Sequence, residues 1–242
     1  MSGLYADKLL NLITPRTWAG HDESSDHNGS YSGLFTWKSG VNGGFEMINI
    51  YVEKLDGVFF GVAVEGESIV ATNFAPDLQS CLSGMLKSLP FNVPFTQTEK
   101  PSSFAQEAIS VLKDVFDGKD VSWDFRLAVG HSTVHTQEVI SATKLIPLGY
   151  ATSYAAIART VGGGPRSVGH VMADNPFPPL VPCHRVVGSD LSLRGYGGGL
   201  DVKLAFLKRE SRGYSSEKDV SVHGRKLRVF PVEFVLKKLG EL

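Results

Sequence analysis

Asn175-Pro176-Phe177-Pro178-Pro179-Leu180-Val181-Pro182-Cys183-His184-Arg185-Val186-Val187 is the stretch on which the reading turns. Its four prolines between residues 176 and 182 preclude a regular helix. They predict an extended segment that presents the following residues at a fixed place. In an extended chain successive side chains face opposite sides, so His184 is expected to reach the Cys183 proton only through a water or a bend. A histidine used as a base needs a third group to orient it. The nearby carboxylates downstream are Asp190, Asp201 and Glu210. A free cysteine is ordinarily a small buried hydrophobe, and Cys81, on the apolar side of a helical pattern, fits that description. Cys183 differs, because His184 and Arg185 flank it and a cationic neighbourhood is expected to lower a thiol pKa.

Immediately upstream, Tyr154 to Val161, then Gly162-Gly163-Gly164, then Pro165 to Met172 read as helix, tight turn and helix. Pro165 stands where a first helical turn tolerates proline. Two short helices joined through glycine outline a helix-turn-helix, although such turns also join ordinary packed helices. Helical spacing extends over roughly 134–146, 153–161, 165–174 and 200–210. Earlier in the chain, Met47–Val52, Val58–Val64 and Ile69–Thr72 are short β runs separated by turns, an antiparallel meander. Two amphipathic helices come next, at Leu78–Leu89 and Phe104–Phe116, with a turn-rich stretch from Pro90 to Ser103 between them. Before the meander, a short Leu4–Ile13 helix leads into a polar run containing His21 and His27.

The 242 residues are 42% apolar and 20% charged, a globular composition that excludes a disordered or fibrous chain. Residues 1–120 carry 8 basic and 15 acidic side chains, whereas residues 121–242 carry 16 and 10. The halves balance at −7 and +6, an asymmetry that hints at a polyanion partner for the second. Two cysteines make no disulfide framework, and no run approaches the ~18 apolar residues of a membrane span. A soluble protein in a reducing, intracellular setting is expected, cytoplasmic or, in a eukaryote, nuclear. No metal-ligand set and no cofactor are expected.

Pro182-Cys183-His184-Arg185-Val186, followed by Gly195-Tyr196-Gly197-Gly198-Gly199-Leu200 and a helix carrying Lys203 and ending Lys208-Arg209-Glu210, resembles the O6-alkylguanine-DNA alkyltransferases, or methylated-DNA-protein-cysteine methyltransferases. The likeness runs in order from about residue 125 to 211, through Thr152-Ser153-Tyr154, Pro165-Arg166-Ser167-Val168-Gly169 and Asn175-Pro176.

The resemblance implies an α+β protein: an N-terminal ribonuclease H-like α+β domain, then a mostly helical winged-helix-like (helix-turn-helix) domain for DNA binding and catalysis. On this reading residues 1–44 are an N-terminal extension, 45–122 the first domain, 123–211 the second and 212–242 a C-terminal extension. The extension is read as a hairpin over Val220–Phe230 and a helix over Val232–Leu239, and its 7 basic residues suggest phosphate contacts. Cys183 becomes the alkyl acceptor in a single, irreversible transfer. His184 deprotonates it through water, Glu210 holds the histidine tautomer, and Tyr154 protonates guanine N3. Asn175 is the hinge before the active-site strand. Lys203 is aimed at O6, Tyr196 walls the pocket, and the Val186 and Cys183 carbonyls accept from the exocyclic amine. Arg166 fills the stack vacated by the flipped base, and Ser153, Ser167 and Gly169 accompany it on duplex DNA entered from the minor groove. A monomer is expected, with no membrane partner.

Two departures from the family pattern stand out. Gly197 replaces a serine, leaving only a backbone N–H toward O6, and His135–Ile140 replaces an aromatic core pair. Two other classes compete with a transferase. A non-catalytic lesion-binding protein would carry tryptophan in place of Cys183. A transcription regulator would carry further metal-binding or acceptor cysteines.

Overall fold

A computed structural model describes residues 47–89, 93–98, 100–130 and 132–242. The Leu4–Ile13 helix and the run with His21 and His27 lie outside the described residues. The three apolar runs form the expected meander, β1 (Ile48–Leu55), β2 (Val58–Glu65) and β3 (Ser68–Ala75), antiparallel throughout. Two positive-φ residues, Asp56 and Gly57, turn the chain between β1 and β2. Helix α1 (Leu78–Ser88), capped by the Asp77 carboxylate on Ser80 N–H, packs across β2. Gly61 is what lets it come so close, because a Cβ there would collide with the end of the Met85 side chain. The stretch read as turns contributes a short strand, β4 (Phe95–Gln97), parallel to β1. Helix α2 (Ser103–Phe116) buries Ala105, Ala108, Ile109, Leu112 and Val115. A further strand, β5 (Arg126–Leu127), pairs parallel with β3, giving a five-stranded sheet in the order β4-β1-β2-β3-β5. That sheet therefore extends past residue 122, where the first domain was expected to end.

The second half contains the expected helices and a sheet that their periodicity did not announce. Helices α3 (Val134–Lys144), α4 (Tyr154–Val161) and α5 (Pro165–Ala173) surround β6 (Tyr150–Ser153). Strand β7 (Val186–Val187) lies parallel to β6 on one side. After α6 (Leu200–Arg209), β8 (Lys218–Val222) and β9 (Arg225–Pro231) form the hairpin expected of the tail. Its second strand pairs antiparallel with β6, so the sheet order is β7-β6-β9-β8. Helix α7 (Val232–Leu239) closes the chain over Ala151, Val187 and Leu207. Between α4 and α5 the turn uses Gly162 at φ 97° and Gly163 at φ 82°, a backbone that side-chain-bearing residues rarely adopt.

The halves share one apolar core. Phe177, Leu180 and Val181 of the proline segment are buried with Phe60, Val62 and Val64 of the first sheet and Leu112 of α2. Among the described residues, no helix is long and apolar enough to cross a membrane.

Candidate active site

The proline segment is anchored from the first half of the molecule. Thr72 of β3 donates its backbone N–H to Pro176 O and its hydroxyl to Pro178 O, both at 2.8 Å. Beyond this anchor the chain is not extended, contrary to the sequence expectation. Pro182, at ψ 66°, turns it into a single 3-10 turn over Cys183–Arg185. Arg185 N–H closes the turn on Pro182 O at 2.9 Å, and Val186 N–H on Cys183 O. Side chains around such a turn spread over three directions and do not alternate between two. Cys183 and His184 are thus separated by a bend, one of the two routes left open by the sequence.

Of the three carboxylates considered, the fold brings Glu210 to His184. Asp190 lies at the surface, paired with Arg194 and Ser192, and Asp201 is exposed in the first turn of α6. Glu210 caps the end of α6 with no exposed surface, and its Oε1 meets His184 Nε2 at 2.8 Å. Arg185 closes on the same carboxylate, Nε to Oε2 at 2.8 Å and a terminal nitrogen to Oε1 at 2.9 Å, and donates a third bond to Ile146 O at 2.6 Å. Burial works against this carboxylate, but the Arg185 charge and the hydrogen bonds from His184 and Arg185 outweigh it and hold its pKa near 2. Burial likewise drives the His184 pKa below the usual imidazole value, against the pull of Glu210. A neutral imidazole beside an ionised carboxylate carries its proton on Nε2. Its Nδ1 is left as a lone pair, buried and without a hydrogen-bond partner.

The cause expected to activate the thiol is not the one found. Arg185 is engaged by Glu210 and His184 is neutral, so neither flanking residue supplies a cation to Cys183. Burial, at 6% exposure, pushes the thiol pKa up. Two other residues oppose that shift. Asn175 Nδ2 donates to Cys183 Sγ at 3.2 Å and to Val181 O at 2.9 Å, while its Oδ1 accepts from Phe177 N–H. Lys203, fully buried on α6, attracts the thiolate, and its own pKa is lowered to about 8 by desolvation. Its ammonium donates to Val186 O at 2.7 Å and to Arg194 O at 3.1 Å. The Val186 carbonyl, expected to receive a guanine amine, already holds this lysine.

Tyr154 opens α4 and Tyr196 lies in the glycine-rich loop before α6; their ring centroids stand 5.7 and 6.0 Å from Lys203 Nζ. Burial raises the Tyr154 phenol to about 12 and the Tyr196 phenol well above its usual value. The Tyr196 hydroxyl is buried without a partner. At Gly197 a Cβ would meet nothing within 4 Å, so the missing serine leaves open space. The cluster thus offers a thiol, a base with a free lone pair, and two phenol rings beside a buried ammonium.

Arg166 is exposed at the start of α5, and the neighbourhood of Gly169 is open. Ser153 and Ser167, expected on the DNA side, both hold helix starts. Ser153 is buried and caps α4 by accepting from Ala156 N–H at 3.1 Å. The Ser167 hydroxyl accepts from Gly164 N–H at 3.2 Å and lies 3.1 Å from His135 Nε2. His135 thereby ties α3 to α5 by a polar contact in place of the aromatic pair, and α3 survives with Val139, Ile140 and Ala142 buried. Cys81 is an inert core thiol, fully buried with its pKa raised to about 12. Two residues went unassigned in the sequence: Arg185 as the clamp on Glu210, and Phe206, whose ring stacks on His184. The signal for Phe206 was its place on α6, three residues after Lys203 and four before Glu210, where helical spacing puts all three on one face.

Residues 135–212 match the family model described as 6-O-methylguanine DNA methyltransferase, DNA binding domain. The chain is 34% identical over 163 residues to the methylated-DNA-protein-cysteine methyltransferase of Mycobacterium leprae, covering 66% of this chain and 92% of that protein. It is 32% identical over 117 residues to the Methanothermobacter thermautotrophicus protein of the same name, spanning 48% of this chain and 66% of the relative. Mycobacterium tuberculosis OGT, in a crystal structure with DNA, superposes with a TM-score of 0.54 at 29% identity, covering 67% of this chain and 92% of the other. With 92% of a 34%-identical relative covered, the chain belongs to the methylated-DNA-protein-cysteine methyltransferase family.

Proposed function

We propose that this protein repairs DNA by direct reversal, moving the alkyl group of O6-alkylguanine onto Cys183 once and irreversibly. The observation that carries this reading is the buried thiol on a pinned turn, next to an imidazole whose Nε2 is held by Glu210 and whose Nδ1 is free. His184 Nδ1 takes the Cys183 proton through an intervening water. The thiolate attacks the alkyl carbon, the S–C bond forms as the C–O6 bond breaks, and the electron pair passes into the guanine ring. Tyr154 supplies a proton at N3, and Lys203 and the Gly197 N–H stabilise charge at O6. Asn175 steadies the thiolate, Tyr196 walls the base, and the Cys183 and Val186 carbonyls accept from its exocyclic amine through their remaining lone pairs. No cofactor enters the scheme.

The base reaches this depth by leaving the duplex, at a cost of about a few kcal/mol. Arg166, exposed on α5, fills the gap from the minor groove, with the Gly169 backbone close to the strand. Ser153 and Ser167 serve the interface by fixing the ends of α4 and α5. The partner is double-stranded DNA bearing O6-alkylguanine, met by a monomer. A winged-helix reading of the second half is supported by the order α3, β6, α4, α5, then a hairpin whose second strand pairs with β6. The antiparallel meander with β4 parallel to β1 supports a ribonuclease H-like first half. Residues 45–122 and 123–211 are then two domains sharing a core, with β5, at 126–127, reaching back into the sheet of the first and 212–242 built into the second.

Intact-protein mass spectrometry with peptide mapping, after incubation with an O6-methylguanine duplex, tests the reading. One methyl group per chain on the Cys183 peptide is expected, with none on Cys183→Ala although that variant still binds the lesion. Tight binding without methyl gain would instead make the protein a lesion sensor. A second expectation concerns Arg166→Ala, which should slow repair of the duplex far more than transfer from free O6-benzylguanine. Equal losses on both substrates would remove Arg166 from the base-flipping step.

A further inference from the structure

His184 is held from two directions. Glu210 takes the Nε2 edge, and the Phe206 ring lies almost flat on the imidazole, with centroids 4.3 Å apart and planes inclined by 16°. Neither ring has exposed surface. Phe206 is itself fixed by the first half of the molecule. Phe74, from β3, meets it edge-on at 5.5 Å, and Phe116, at the end of α2, meets it edge-on at 5.4 Å. Phe74 and Phe116 touch each other at 5.2 Å, and Phe116 touches Phe60 of β2 at 5.3 Å. The Arg209 guanidinium covers Phe116 at 4.4 Å and donates to its carbonyl at 3.0 Å. Offset and edge-to-face aromatic pairs carry orientation as well as area.

We infer that Phe206 is a positioning residue: it fixes the plane of the His184 imidazole, while Glu210 fixes its edge, and it transmits the packing of the N-terminal sheet to the base. The inference rests on the proposed role of His184 as the base for Cys183. A carboxylate held at Nε2 still allows the ring to rock about that hydrogen bond. A flat contact on one face stops the rocking and keeps the free Nδ1 lone pair in one direction. Phe206 also excludes water from that face without adding charge. The charged and titratable groups around His184 are Glu210 and Lys203 from α6, Arg185 from the turn, and Cys183.

The test compares the protein with Phe206→Leu and Phe74→Leu, following single-turnover transfer from an O6-methylguanine duplex across pH and titrating the His184 ring by proton-nitrogen NMR. Phe206→Leu is expected to slow transfer by roughly tenfold, part of the ~10²–10⁴ that a positioned base contributes. Lesion-duplex affinity should be unchanged. The acid limb of its rate profile should move to higher pH, because water admitted to the ring raises the imidazole pKa toward its ordinary value. Phe74→Leu, which leaves the stacked ring in place but frees it to move, should shift both readouts in the same direction by a smaller factor. It carries the test should Phe206→Leu not fold. A uniform loss of rate at all pH values, with an unchanged His184 titration, would overturn the inference, as would wild-type rates in either folded variant. If the unaltered protein accepts no methyl group, the proposed function fails, and the His184 titration still decides whether Phe206 holds the ring.

Discussion

At the scale of single residues, Glu210 carries the most consequence. It neutralises Arg185, orients His184 and ends α6, all without exposed surface. Removing one partner of a buried ion pair leaves the other charge uncompensated. Glu210→Gln should therefore destabilise the fold by about 3–5 kcal/mol and slow transfer further, measured by urea unfolding and by the rate of methyl uptake. The pH dependence has a definite sign. Glu210 titrates near 2 when folded against an ordinary 4.5, and His184 is also lowered. For both groups the unfolded chain binds protons first as pH falls. The contribution of these two groups should be fully present above about pH 7 and decline progressively from the ordinary histidine range down through the carboxylate range. Glu210→Gln should lose the carboxylate part of that decline; an unchanged acid profile would detach Glu210 from it.

At the scale of elements, the hairpin β8–β9 belongs to the site. Leu227 and Val229 are fully buried in the cluster that contains Cys183 and Val186, and Thr152 of β6 donates its hydroxyl to Arg228 O at 2.7 Å. Leu227→Ala should cost about 2–5 kcal/mol and slow transfer, whereas Lys226→Ala, exposed on the same strand, should stay within about 0.5 kcal/mol. Denaturant midpoints compared with transfer rates check both. Elements of this kind divide into those the sequence disclosed and those it did not. The meander and the amphipathic helices were legible because their apolar spacing is long and regular, and Pro165 marked the start of α5. Strands β4, β5 and β7 span only two or three residues, and their partners lie far away in the chain, so no local pattern reveals them. The family motif disclosed Cys183, His184 and Glu210. Local geometry misled on the turn itself, because the prolines end at 182 and Pro182 bends the chain. The capping roles of Ser153 and Ser167 were not separately legible, because a serine at a helix start serves as a cap or as a contact.

At the scale of the whole molecule, the charge asymmetry between halves is not matched by a mechanical separation. Thr72, in the first sheet, holds the carbonyls of Pro176 and Pro178, and four phenylalanines run from β2 to the imidazole. Heating should accordingly give one transition, coincident by tryptophan fluorescence and far-ultraviolet circular dichroism. Two resolved transitions would mean that the shared core does not couple the halves. Thr72→Val should leave the part-buried Pro178 carbonyl without its donor, a loss of about 1 kcal/mol. It should also slow methyl uptake, although Thr72 belongs to the first sheet.

The place of β9 in the chain bears on the protein while it is being made. Proteins emerge from the ribosome N-terminus first and fold as their parts become available. Cys183 leaves the ribosome before Leu227 and Val229, which complete the cluster around it. Each nascent copy therefore passes through an interval in which its one-use sulfur is uncovered and has no selective pocket around it. A chain alkylated by a stray electrophile in that interval would be spent before it met a lesion, so truncation before β9 should make Cys183 more reactive toward a small alkylating agent, as read by mass spectrometry.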